Sequence, residues 1–70
     1  MMPLTMANAG EENIIKKVGG KEDTRRFLEN LGIVAGAAVT VISQVEGNII
    51  VNIKDSRVAI GKDMANKIMV

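Results

Sequence analysis

From Val39 to Ile60 the chain alternates with a period of two, and this restricts its fold more than any other feature of its seventy residues. Val39 and Val41 alternate with Thr40 and Ile42, in a strand reached through Gly36-Ala37. Glu46-Gly47-Asn48 supplies a turn. Ile49, Val51 and Ile53 then alternate with Ile50, Asn52 and Lys54. Asp55-Ser56 reads as a tight two-residue connection, after which Val58 and Ile60 carry the alternation from Arg57 to Gly61. Two hairpins in succession predict an antiparallel meander.

The flanks give shorter elements. Pro3-Leu4-Thr5-Met6 reads as a short opening strand, with turn residues at Asn8-Ala9-Gly10. Ile14 and Ile15, set between Glu11-Glu12 and Lys16-Lys17, predict a strand from Asn13 to Val18 closed by Gly19-Gly20. The period then changes. Thr24, Phe27, Leu28 and Leu31 fall at i, i+3, i+4 and i+7, one apolar stripe of a helix from Lys21 to Leu31. Glu22 and Asp23 sit in its first turn, where the helix dipole favours acids, and Gly32 provides its stop. Glu22 with Arg26 and Arg25 with Glu29 have the spacing of ion pairs along the helix. Phe27, Leu28 and Leu31 are assigned to the seam between helix and sheet, so truncating Phe27 to Ala is expected to cost about 3–5 kcal/mol. Lys62-Asp63-Met64-Ala65 reads as one helical turn and Ile68-Met69-Val70 as a closing strand. Five or six short strands and one helix, in a single domain over residues 1–70, are too few for a two-layer sandwich. A small, partly closed barrel removes most exposed strand edges.

Nine Ile, eight Val and three Leu are enough for one core. A domain this small hides only about 60% of its unfolded surface. Its core supplies roughly 3–5 kcal/mol. Cys, His, Trp and Tyr are absent, and Phe27 is the single aromatic. That inventory excludes disulfides, thiol redox chemistry, Cys/His zinc sites and imidazole or thiolate catalysis. Ser43 and Ser56 have no base to activate them, so no enzymatic activity is expected. Gly19-Gly20-Lys21 approaches a phosphate-binding loop, but Ile15 stands where its first glycine belongs and Glu22 where its hydroxyl belongs. It reads as a turn.

The acidic pairs Glu11-Glu12 and Glu22-Asp23 read as solvated charge: neighbours on a strand point to opposite faces, and oxygen ligands alone do not select ferrous ion. No metal site or cofactor is assigned. Met6, Met64 and Met69 read as core or terminal packing. Nine basic residues against eight acidic ones leave a net charge of +1, without the basic excess or stacking aromatics of a nucleic-acid binder. The first ten residues carry no basic side chain of a secretory leader. The longest uncharged apolar run, Leu31 to Ile42, is too short to span a bilayer. Together with the lack of Cys, this points to a soluble cytoplasmic protein without membrane insertion.

The stretch Phe27-Leu28-Glu29-Asn30-Leu31-Gly32-Ile33-Val34-Ala35-Gly36 resembles the signature of FeoA proteins. Arg26, Leu31-Gly32-Ile33, Gly36 and Val39-Thr40-Val41 occupy the family's basic, Leu-Gly-Leu-like, second-glycine and Val-rich positions. Leu4, Gly10 and Ile14-Ile15 upstream, and Val58-Ala59-Ile60, Ala65 and Ile68-Met69-Val70 downstream, extend the likeness over essentially the whole chain. Where family members often carry a Pro-containing turn between the middle strands, this chain has Gly47-Asn48.

The resemblance implies a mainly β, SH3-like barrel and an accessory role in bacterial ferrous iron uptake. The implied partner is FeoB, a membrane transporter with a cytoplasmic GTP-binding domain. Similar domains end the DtxR-type metal-dependent repressors, whose DNA-binding part this chain lacks. The expected contact surface is the exposed helix face of Lys21, Arg25, Arg26 and Glu29. The alternatives are a stand-alone metal-responsive sensor and a small RNA-binding barrel. Self-association through an edge strand is left open by so small a core.

Overall fold

The computed structural model describes residues 1–70. A 3₁₀ turn (Leu4–Met6) leads to β1 (Glu12–Ile14), β2 (Lys17–Val18), α1 (Glu22–Asn30), β3 (Ala38–Val45), β4 (Asn48–Ile53), β5 (Ser56–Gly61), α2 (Lys62–Ala65) and β6 (Ile68–Met69). The strands form a four-stranded sheet in the order β1-β3-β4-β5 and a two-stranded sheet of β2 with β6. Every pairing is antiparallel. This is the expected small, mainly β architecture with its meander in place.

The alternation works as a burial code. Val39 and Val41 of β3, Ile49, Val51 and Ile53 of β4 and Ile60 of β5 are buried, whereas Thr40, Ile50 and Asn52 between them are half-exposed. Full burial of each such side chain is worth about 1.5–3 kcal/mol. Leu4, Ile15, Leu28, Ile33 and Ile68 close the core from the other elements, and no polar or charged residue is buried with them.

Both hairpins turn through two residues with positive φ: Glu46 (34°) with Gly47 (81°), and Lys54 (49°) with Asp55 (63°). Two-residue turns of this hand match the twist of the flanking strands. The second turn therefore lies one residue earlier than the expected Asp55-Ser56, because Ser56 is already in the ladder opposite Ile53. At the first turn Glu46 is exposed and makes no side-chain hydrogen bond. Glu46→Asn creates the Asn-Gly pair that such turns prefer. It is expected to stabilise the domain by up to ~1 kcal/mol. For a domain of this size the thermal midpoint should rise by several degrees. A midpoint at or below that of the parent would show that Glu46 is not strained.

Two strand assignments change. Pro3–Met6 is a 3₁₀ turn, with Met6 N–H donating to the Pro3 carbonyl (2.9 Å) and Ala7 N–H to that of Leu4 (3.0 Å). The turn puts Leu4 and Ala7, three apart, into the core and leaves Met6 69% exposed, so Met6 is not a packing residue. The expected strand Asn13–Val18 is two strands in two sheets. Ile15 N–H still reaches Ala37 O beside β3 (2.9 Å), while Lys16 N–H reaches Met69 O of β6 (2.7 Å). Ile14 consequently faces solvent and Ile15 the core.

Helix α1 ends as its sequence requires. Gly32 adopts φ +90°, its N–H donates to Glu29 O (2.9 Å), and Ile33 N–H donates to Leu28 O (2.9 Å). This pair of bonds is the Schellman stop, and the two residues it joins at its ends, Leu28 and Ile33, are both fully buried. Thr24 and Leu31 are half-buried. Phe27 is 47% exposed and lies outside the seam, contrary to its assignment as a core anchor. Leu28, one residue on, takes the position at the centre of the docked face.

Candidate functional site

The exposed side of α1 presents the four residues singled out by charge. Lys21 is the N-cap, with extended backbone and no side-chain capping bond. Arg25 and Glu29 follow at four-residue intervals, so the three lie along one line of the helix surface. Arg26 is the next column around. Its Nη2 donates to Glu22 Oε1 at 2.7 Å, an ion pair in the favourable acid-before-base order with both side chains about two-thirds exposed or more (66% and 73%). The pair expected between Arg25 and Glu29 does not form, and both charges are left to solvent.

Glu22, Arg25, Arg26 and Glu29 border a shallow depression of about 220 Å³ that no hydrophobic residue lines. Two acids and two bases at this spacing can dock a surface of mixed charge. They offer no nucleophile beside a base and no carboxylate cage. Half-exposed Phe27, a residue that pattern-reading misplaced, lies on the flank of the helix away from Lys21 and Arg25 and does not border this depression. Its signal was the width of the apolar stripe, which exceeds what a nine-residue helix buries here.

A second shallow depression, about 290 Å³, lies on the outer face of the four-stranded sheet. Glu12, Thr40 and Asn52 cross it in register, and Lys54, Asp55, Ala37 and Ala38 complete its lining. Lys54 reaches from there toward Gly32, where an added Cβ would meet its Cδ at 3.3 Å. The ammonium group thus stands near the C-terminal end of α1, where the helix dipole favours a cation. Nowhere do three acidic side chains gather into a set able to hold a metal ion. No helix is long and apolar enough to cross a membrane.

Comparison with known proteins gives this surface its context. A Fe(2+) transport protein of Methanocaldococcus jannaschii, named "Putative Fe(2+) transport protein A", is 40% identical over 70 residues, all of this chain and 85% of the relative. Among solved structures, the crystal structure of an iron uptake regulatory protein (FeoA) superposes with a TM-score of 0.90 at 33% identity, covering 99% of this chain and 93% of the other. The solution structure of a FeoA protein from Chlorobium tepidum gives 0.89 at 27% identity, over 97% of this chain and 67% of that one. A manganese-dependent transcriptional repressor shares the fold alone, with a TM-score of 0.86 at 20% identity, over 94% of this chain and 38% of the repressor. The model of the FeoA domain matches residues 2–70, and with that match over nearly every residue the chain belongs to the FeoA domain family.

Proposed function

We propose that the protein is a non-enzymatic accessory of ferrous iron uptake that modulates an FeoB-type transporter by direct contact in the cytoplasm. The observation that carries this reading is the family match over residues 2–70, together with a relative named for Fe(2+) transport. The residue inventory supports the non-enzymatic part: no His or Cys is present, and neither serine has a base. The contact surface in this proposal is the outer face of α1, with Lys21, Arg25, Arg26 and Glu29. Charges at the rim of an interface steer encounter and discriminate partners more than they add affinity.

An anaerobic amide NMR titration with the cytoplasmic GTP-binding domain of FeoB tests the proposal. Shift changes are expected to cluster on Lys21–Glu29. Reversing Arg25 and Arg26 to Glu should weaken binding by roughly tenfold, equivalent to ~1.4 kcal/mol. The variant should still melt cooperatively, with a midpoint lowered by several degrees, because glutamates at 25 and 26 each face Glu22 and Glu29 at three- or four-residue spacing, at about 0.2–0.5 kcal/mol per pair. Shifts confined to another face would keep the partner and reject this surface. An absence of shifts with both the soluble domain and the full transporter in detergent would reject the partner.

A further inference from the structure

The two edges of the four-stranded sheet are built differently. β1 is three residues long, begins at Glu12 directly after Glu11, and has the Asn13 amide folded back on the Glu11 carbonyl (3.4 Å). A short, charged edge discourages the addition of another strand. β5 runs for six residues in unbroken register with β4 and contains no proline, no lysine and no bulge. Its single charge is Arg57.

The hydrogen-bond phase of the hairpin decides which groups are free. The two-residue turn at Lys54-Asp55 makes Ile53 and Ser56 a hydrogen-bonded pair, so Ser56, Val58 and Ile60 direct N–H and C=O toward β4. Arg57 and Ala59 direct theirs outward. Neither residue takes part in any backbone bond outside the ladder, and both are exposed. Gly61 is the N-cap of α2, and its carbonyl serves that helix. Arg57 and Ala59 are thus the residues of β5 that offer both backbone groups to a further strand.

We infer that this edge is a self-association site: β5 pairs antiparallel with β5 of a second copy about a two-fold axis at Val58. Arg57 then lies opposite Ala59 of the second copy, and the reciprocal pair completes the set of outward backbone bonds. Two features favour a second copy over an unrelated strand. Val58 is half-buried and packs against the core, and on the axis it meets its own counterpart in the closer, non-hydrogen-bonded type of pair. The small side chain of Ala59 leaves room on the outer face for the aliphatic stem of the opposing Arg57. Edge pairing this short buries well under the ~1,200 Å² of a stable interface. The dimer is therefore weak and concentration-dependent.

The absence of native cysteine permits a direct test with Val58→Cys and Ala59→Cys, each carrying one thiol. Random collision favours the more exposed position 59. The two-fold pairing favours position 58, where Cα atoms about 4.5 Å apart fall within disulfide range. With rates normalised to each thiol's reaction with glutathione, Val58→Cys should form covalent dimer at least tenfold faster than Ala59→Cys. Adding Ala59→Pro removes an outward N–H without touching the ladder and should abolish that advantage while the protein still melts cooperatively. Sedimentation of the unmodified chain should show mass rising with concentration, and of Ala59→Pro alone a constant monomer. Faster cross-linking at position 59, or sedimentation unaffected by Ala59→Pro, overturns the inference.

Discussion

Leu28→Ala is expected to leave the domain without a cooperative thermal transition, whereas Phe27→Ala should melt within a few degrees of the parent. Leu28 is fully buried and is the only residue of α1 that is, so the helix is held to the sheet chiefly through this side chain. Its truncation costs about 2–5 kcal/mol, through lost transfer energy and the cavity left behind. A domain of this size has roughly 3–5 kcal/mol to lose. The same truncation also strips the side-chain contact that accompanies the helix stop, since Leu28 and Ile33 are its two buried ends. Phe27 already leaves 47% of its surface in water, and its removal forfeits only the covered remainder. Circular dichroism melts of the two variants separate these outcomes. Loss of the transition in Phe27→Ala, with Leu28→Ala intact, would mean that α1 docks on a different face.

Gly32→Ala is the second large effect, and here the cost lies in the backbone. At φ +90° an L-residue is strained by about 1–2 kcal/mol, since Cβ crowds the neighbouring carbonyl. The added carbon also meets Lys54 Cδ at 3.3 Å, but that atom belongs to a flexible side chain and can move aside. The urea midpoint should fall with an unchanged slope, because the surface exposed on unfolding stays the same. Lys54→Ala, which removes the Cδ and Cε that the added carbon meets, should recover none of this loss in the same background if backbone strain is its source. Substantial recovery would place the cost in the crowding.

The parts of the fold that were legible in the sequence are those whose partners are near in the chain. The β3-β4-β5 meander, helix α1 with its Gly32 stop and the turn of α2 each write their pattern within a few residues. The split of Asn13–Val18 is written elsewhere: Ile15 bonds to Ala37, and Lys16 to Met69. Nothing local shows that the ladder changes sheets between Ile15 and Lys16. The opening 3₁₀ turn was readable, since Leu4 and Ala7 have the spacing of a tight helix, but four residues beginning with proline suit either conformation. Phe27 shows the limit of stripe-reading, which ranks residues by hydrophobicity and not by how much of a small sheet remains to be covered.

At the candidate surface the Glu22–Arg26 pair was visible as spacing, because an i,i+4 contact is intrinsic to a helix. The free charges of Arg25 and Glu29 were not visible, since forming that pair depends on side-chain conformations that spacing does not fix.

Residues 2 and 70 exchange hydrogen bonds in both directions, Met2 N–H to Val70 O and Val70 N–H to Met2 O, each 2.9 Å, and Pro3 bridges Met69 beside them. In kinetic terms this clasp must close late. The meander and α1 can form from contacts of short sequence separation, while joining Met2 to Val70 closes a loop of nearly the whole chain and carries its entropy cost in one step. Until then Leu4, Ile68 and Val70 have no core to enter, and the meander stands with one face uncovered. Substitutions in the β3-β4 hairpin should therefore change the folding rate, and substitutions at Leu4 or Ile68 chiefly the unfolding rate.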